Sequence, residues 1–513
     1  MRESLPSGWV TTSLRDLCLE RVAQGPPTDQ PVPYIDISSI DRSTKQIGKT
    51  KLVVEEDAPT RARQWVHTDD VVVSMTRPNL NAVAKVGSDL DGAVASTGFD
   101  VLRPLGVVPG WIFYRVRTNE FIGDVCEDLQ GVVYPAIRPH DVRRHGLPLP
   151  PLPEQHRIVE AIESYFTRLD DAVATLERVQ RNLKRYRTSV LKAAVEGRLV
   201  STEAELARAE GRDYEPASVL VERILAERRR SWEEAELAKM AAKGKVPKND
   251  RWKAKYVEPA APDTTDLPEL PEGWCWVTVD QILAGPLANG RSVKSAATGF
   301  PVLRLTAFQD GSINLSEQKV GAWTAEEAEG FLVREGDFLV SRGNGSIRLV
   351  GIGGLVRLLS DPVAYPDTMI RFRLSEGVEP RLFVQIWNSR TVRNQVEWKA
   401  KTTAGIFKVN QTDLATCAVP LPPASEQVRV RTEIERLFGV GEEAADLSAR
   451  STSRCTRLRQ SILKWAFEGR LVDQDSTDEP AFALLERIRA ERASSGTEKP
   501  KRLARRKVRS RNA

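Results

Sequence analysis

The segment Pro148-Leu149-Pro150-Pro151, then Glu154-Gln155, then a long amphipathic run closing on Leu191-Lys192-Ala193-Ala194-Val195-Glu196-Gly197-Arg198-Leu199, decides the fold because the chain contains it twice. It returns 272 residues later as Pro420-Leu421-Pro422-Pro423, Glu426-Gln427 and Leu463-Lys464-Trp465-Ala466-Phe467-Glu468-Gly469-Arg470-Leu471. Proline fixes extended backbone and keeps the residue before it out of the helical region. A helix therefore starts after each run, with Glu-Gln in its first turn, where the helix end is positive. Gly197 and Gly469 are the matching stop signals.

Between these signals the first copy is a heptad. Ile162, Leu169, Leu176, Leu183 and Val190 recur every seven residues, and Tyr165, Ala172, Val179, Tyr186 and Ala193 recur three places later. Five unbroken heptads predict a coiled-coil helix over residues 158–194, roughly 55 Å long at about 1.5 Å per residue. In the second copy the expected seam runs through Ile434, Leu437, Gly441, Ser448, Ser451, Leu458, Ile462 and Trp465. The two helices are expected to pair with each other.

The repeat reaches beyond the helices. Leu5-Pro6-Ser7-Gly8-Trp9 recurs as Leu270-Pro271-Glu272-Gly273-Trp274, each ahead of a block that ends at the proline run. The segment Pro216–Arg228 matches Pro480–Arg492; this short helix either docks a partner or caps the coil. A Lys- and Trp-bearing stretch follows from Lys243 to Lys255, then a Pro/Asp/Thr-rich linker. The predicted layout is a block at 1–152, a long helix at 153–199, a connector at 200–265, a second block at 266–424, a second long helix at 425–471, and a short helix with a basic tail at 472–513. The tail is expected to be disordered at its end.

Both blocks read as α/β (α+β) with short strands. Pro33–Ile40 corresponds to Pro301–Phe308, and Asp70-Val71-Val72-Val73-Ser74 to Asp337-Phe338-Leu339-Val340-Ser341. Further strands are expected at Val94–Leu102 and Met369–Leu374, and helices at Trp111–Thr118 and Arg381–Trp398. The blocks agree in plan and differ in residues, which suits one scaffold carrying two different heads.

Composition narrows the class. The chain has 513 residues, 41% hydrophobic and 28% charged, with no apolar run long enough to span a membrane. Cys18, Cys126, Cys275, Cys417 and Cys455 are scattered, which suits a reducing cytoplasm and opposes a structural zinc site. Net charge is +5, but residues 498–513 carry +7, leaving about −2 on the rest. Nucleic-acid contact must come from local patches.

Catalytic motifs are wanting. Gly48-Lys49-Thr50 lacks the upstream glycine of a phosphate loop, and Gly351-Ile352-Gly353-Gly354 falls short of a dinucleotide fingerprint. His67, His140, His145 and His156 form no pair at metal-ligand spacing. Pro366-Asp367 with Glu397-Trp398-Lys399 spells a loose nuclease pattern, but Glu397 and Lys399 fall in a predicted helix, where i and i+2 point apart. No cofactor or metal is assigned to this chain.

What remains is polar loops after the two matched strands. Arg77, Asn79, Asn81 and Lys85 follow the first; Arg342, Asn344, Ser346 and Arg348 follow the second. Near the block ends, Gln130 and Tyr134, and Lys401 and Thr402, complete the candidates. Arg and Asn carry the forked groups that fit guanine and adenine edges in the major groove.

These motifs, duplicated and in this order, resemble the specificity subunit of type I restriction–modification systems over residues 5–492. The resemblance implies two target recognition domains separated by an antiparallel pair of long helices with pseudo-two-fold symmetry. Each would read half of a split, asymmetric duplex DNA target, with half-sites about one turn, roughly 34 Å, apart. It implies no active site in this chain, two modification subunits that methylate adenine with S-adenosylmethionine, and restriction subunits that use ATP and Mg. A cytoplasmic location and no membrane partner follow. The alternatives are a nuclease or methyltransferase with fused recognition domains, and a coiled-coil adaptor without DNA.

Overall fold

The structure, a computed structural model, describes residues 5–127, 135–247, 249–358, 361–403 and 405–495. Contacts divide the chain into two compact units, Met1–Glu177 with Ser448–Ala513, and Arg178–Leu447. Two helices of 44 residues, Leu152–Val195 and Ala424–Phe467, each contribute one part to each unit. At 1.5 Å per residue each is about 66 Å long. Among the described residues no helix is long and apolar enough to cross a membrane.

The duplication is realised with the repeats crossed over. In the first unit the opening strand Val10–Ser13 pairs antiparallel with Gly146–Leu149, the strand that holds the proline run. Its Gly8 carbonyl accepts from Ala481 N, which heads the last helix, at 2.9 Å. In the second unit Cys275–Thr278 pairs with Ala418–Leu421, and Gly273 O accepts from Ala217 N at 2.8 Å. Each opening segment thus docks on the short helix that follows the other repeat's long helix.

Glu-Gln at each helix start has a packing role as well as a dipole role. Trp9 Nε1 donates to Glu154 at 2.9 Å, and Trp274 Nε1 donates to Glu426 at 2.9 Å. Gln155 accepts from Val108 N and donates to Pro150 O; Gln427 accepts from Glu379 N and donates to Pro422 O. Burial pushes both glutamates above the ordinary carboxylate range, opposed by the indole bonds and, at Glu426, by the Glu203 amide as well. At the other ends Gly197 and Gly469 take φ of +64° and +69°. A Cβ at Gly197 would lie 2.3 Å from Pro271, and one at Gly469 2.4 Å from Pro6, so neither close approach tolerates a side chain.

The heptad needs one correction. Along the first helix Ile162 and Val190 are buried, and Leu169, Leu176 and Leu183 are half-buried. Their inward companions are four places on, at Phe166, Val173, Gln180, Arg187 and Ala194. Tyr165, Val179 and Tyr186, three places on, are about two-fifths exposed. Positions three and four along flank a helical row on opposite sides, and tertiary packing selects the second. In the first unit Phe166 packs edge-on against Tyr114 at 5.7 Å, with Arg459 over its ring. In the second unit Arg187 lies 4.5 Å over Phe438.

On the second helix Ile434 and Ile462 are buried and Leu437 is half-buried. Leu458 and Trp465 do not line the seam: they are 37% and 45% exposed, and Cys455, Leu463, Ala466 and Phe467 are buried instead. Phe467 decides the rotation by packing on Trp111 at 4.3 Å. Small Ser448 lets the helices approach, and its hydroxyl donates to Leu176 O at 3.3 Å. In the first unit the helices run antiparallel, with Leu176 beside Ser448 and Asp170 paired to Arg459 further along.

Each block is built on a central buried strand. Val71–Ser74 lies between Phe99–Leu102 and Val83–Lys85, all antiparallel. A second sheet, Lys51–Val53, Val32–Ile35, Val94–Ser96 and Ala62–Trp65, completes that head. In the other unit Phe338–Ser341 lies between Met369–Phe372 and Gly353–Leu355 in a six-stranded sheet. Val94–Leu102 is two strands broken at Thr97-Gly98, not one. Arg381–Trp398 is two helices, Pro380–Trp387 and Arg390–Lys399. The break is fixed by Asn388, whose Nδ2 donates to Gly353 O at 2.9 Å while its Oδ1 accepts from Gly353 N. The glycines at 351–354 serve this core: a Cβ on Gly353 would lie 2.1 Å from the Phe338 ring.

Candidate nucleic-acid interface

The two central strands share an anchor. Asp70 accepts from Arg103 Nε and Nη2 at 2.8 and 2.7 Å and from His67 N at 2.9 Å. Asp337 accepts from Arg373 Nε at 2.8 Å and from Arg334 N at 2.8 Å. Both carboxylates are buried. Ionised carboxylates with this number of donors hold the strand foot in one place, and each strand then delivers its loop from an equivalent position.

In the first unit the loop is closed on the protein. Arg77 N donates to Pro135 O at 2.8 Å, and Pro78–Leu80 is one 3-10 turn. Arg77 and Asn81 bracket that turn with φ of +50° and +46°, a region that costs non-glycine residues energy and needs support. Asn81 supplies it. Its Nδ2 donates to Val116 O at 2.7 Å, and Lys45 Nζ donates to both its backbone and side-chain oxygens, at 2.5 and 3.0 Å. Asn81 is buried and fully engaged, so it is a brace and does not present its amide to a base. Arg77 and Asn79 are exposed on the turn, and exposed Lys85 stands 3.1 Å from Asp69. Gln130 and Tyr134 lie outside the described residues.

Lys45 and Arg117 escaped the sequence reading. They line a cleft of about 990 Å³ with Asn81, Lys85, Phe166 and Arg459. Burial, then the Arg117 and Arg42 charges, pull the Lys45 ammonium down to about 8. Burial brings Arg117 to about 10, where it rests on the rings of Phe113, Tyr114 and Phe166 at 4.9–5.2 Å. Lys45 sits in a turn whose neighbours are all polar, and no sequence signal points it inward.

In the second unit the loop is open. Arg342 is tied by its backbone to Thr368 and Val409, and Gly343–Asn344 then forms a strand against Ile406–Lys408, which pairs with Lys401–Thr403. Arg342, Asn344, Lys401 and Thr402 therefore belong to one three-stranded ribbon and its root. Ser346 and Arg348 are exposed just beyond, where Asn344 Oδ1 caps the turn by accepting from Ser346 N at 3.1 Å. A cavity of about 480 Å³ opens between Arg342, Asn344, Thr368, Ile406 and Lys408. The major groove admits a two-stranded ribbon, and two neighbouring strands of this sheet supply one.

The nuclease pattern does not assemble. Glu397 lies on the helix Arg390–Lys399, 3.9 and 3.7 Å from Arg390 and Arg393, and Lys399 Nζ donates to Thr416 at 2.7 Å. Among the described residues no group of three or more His, Cys, Asp or Glu side chains is placed to hold a metal ion.

No family model matches the chain. It is 26% identical over 520 residues to the type I restriction enzyme EcoKI specificity subunit of Escherichia coli K12, covering 97% of this chain and 98% of that one. The StySPI specificity subunit of Salmonella potsdam is 25% identical over 523 residues, covering 98% and 99%. Among solved structures, a chain from a study of the assembly and conformational transition of the type I restriction–modification system superposes with a TM-score of 0.61 at 23% identity, over 91% of this chain and 99% of that one. The HsdS subunit from Thermoanaerobacter tengcongensis superposes with a TM-score of 0.54 at 23% identity and the same coverage. Matched nearly end to end at about a quarter identity, the chain is similar to the specificity subunits of type I restriction–modification systems, and it shares the fold of the solved chains.

Proposed function

We propose that each unit reads one half of a bipartite, asymmetric duplex DNA sequence, and that the chain recruits the subunits that modify and cut it. The observation that carries this reading is the shared anchor with unlike loops: Asp70–Arg103 and Asp337–Arg373 fix two equivalent strands, which lead into Arg77-Pro78-Asn79 and Arg342-Gly343-Asn344. Equivalent placement with different side chains is what two different half-sites require. Phosphate contacts would set each head on the duplex, and base-edge contacts would specify. The residues in these roles are Arg77, Asn79 and Lys85 in one unit, and Arg342, Asn344, Ser346, Arg348, Lys401 and Thr402 in the other.

In this reading the chemistry sits on partner chains: two modification subunits using S-adenosylmethionine, and restriction subunits using ATP and Mg, in the cytoplasm. Blocks 1–152 and 266–424 are the exchangeable recognition domains. The test is a chimaera in which residues 266–424 are replaced by the corresponding block of another specificity subunit, followed by mapping of methylated adenines in the host genome. One half of the methylated motif should change and the other should stay. A chimaera that alters both halves, or neither, defeats the reading.

A further inference from the structure

The ribbon of the second unit contains an electrostatic conflict. Lys408 stands directly opposite Lys401 on one side and opposite Gly343 on the other. Directly opposed residues share a sheet face with Cβ atoms about 5 Å apart, and like charges there are destabilising. Both lysines are exposed, and neither has a carboxylate partner among the described residues. Phe407, half-buried, pairs with Asn344 and Thr402 on the opposite face, so the lysine face is the outward one. Gly343 keeps that face low: a Cβ there would lie 3.2 Å from Lys408 Cγ and 3.3 Å from Phe407 O. Two unpartnered cations are thus held side by side over a floor with no side chain, next to the cavity that Arg342 and Asn344 line.

We propose that Lys401 and Lys408 grip one backbone phosphate of the duplex, leaving Arg342 and Asn344 for the base edges. This rests on the DNA-reading function proposed above and divides the labour within its second half-site. A phosphodiester between the two ammonium groups removes their repulsion and displaces a condensed counterion, so the contact is sequence-independent and weakens with salt. Lys408 is a positioning residue; it sets the register in which the neighbouring Arg342 and Asn344 meet their bases.

The experiment uses the full chain assembled with its modification subunits. The probes are a duplex carrying a genomic site at which methylated adenines map, and a duplex with the second half of that site scrambled. K408A should weaken binding to both duplexes by about tenfold and reduce the slope of log affinity against log salt by about 1. Its preference for the intact site should be unchanged. K408E places opposite charges across the ribbon, so the chain should melt no lower than the parent while binding falls by more than tenfold. Unchanged affinity and salt slope in both K408A and K408E would overturn the clamp and leave the recognition reading standing. A lower melting temperature in K408E would also overturn it, by making the lysines part of the fold. A parent complex that fails to distinguish the two duplexes would overturn the recognition reading itself, and the clamp with it.

Discussion

The two loops that leave the matched strands differ in how much of themselves they spend on the protein. In the first unit a five-residue turn closes with two left-handed residues, and its last asparagine is consumed by Val116 and Lys45. In the second unit the counterpart opens into a ribbon, and Asn344 makes one local bond to Ser346 N. A scaffold can repeat its anchors, with Arg103 Nε and Arg373 Nε each 2.8 Å from the strand's aspartate, and still leave each head free to divide its polar groups differently between folding and recognition. Residue type alone does not tell which use a given asparagine has.

The largest effect that tests this contrast lies where the units agree. D70A and D337A each remove the centre of a buried donor cluster and should cost roughly 3 kcal/mol in their own unit. Hydrogen exchange resolved by unit is the measurement; a large loss in one unit and none in the other would mean the anchors are not equivalent.

The asparagines come next. N81A removes the side-chain donor to the Val116 carbonyl and one of the two acceptors of the Lys45 ammonium, and should destabilise the first unit by about 2 kcal/mol. N344A should leave melting unchanged and cost about 1–3 kcal/mol of discrimination at one base of the second half-site. If N81A melts like the parent, or N344A melts lower, the division between brace and reader is wrong.

The units should also part company in acid. All four histidines precede residue 157 in the sequence. His145 accepts from Arg115 Nε at 2.9 Å and has Nδ1 2.8 Å from Asp124, and burial, then the Arg115 charge, holds it down at about 4. A base whose folded value lies below its unfolded one contributes stability that is present above about 6.5 and is lost as pH falls toward 4. The first unit should therefore lose up to about 1.4 kcal/mol per pH unit across that window. H145Q should flatten the dependence. Unit-resolved exchange at pH 7, 5.5 and 4.5 checks it; parallel loss in both units would point to a shared cause.

A further contrast runs along the helices. I462A removes a buried seam residue and should cost about 2–4 kcal/mol, whereas L458A and W465A, on the exposed side, should stay within about 0.5 kcal/mol. Thermal melting of the three variants would expose a misplaced seam if Trp465 proved as costly as Ile462.

Much of the architecture is legible in the chain because it is written twice with strong local signals. Proline runs, Glu-Gln starts and glycine stops act on backbone dihedrals within a few residues of themselves, so both long helices, the matched strands and the mixed α/β character follow from reading alone. The ribbon candidates Arg342, Asn344, Lys401 and Thr402 were visible as two separate polar stretches, about sixty residues apart. Their pairing across Ile406–Lys408 is a nonlocal register that no local pattern encodes.

The sequence by itself determined where the two long helices start and stop, that the chain is a duplication, and that its two heads differ. Tertiary structure alone decided which flank of each heptad turns inward: the row four places on carries Gln180 and Arg187 and reads as the more polar, yet Phe166 and Phe467 find their aromatic partners and turn that side in. It also decided that Asn81 braces while Asn344 stays open, and that each opening strand docks on the other repeat's short helix. These choices rest on contacts between residues far apart in the chain, whose energies exist only once the backbone has brought them together.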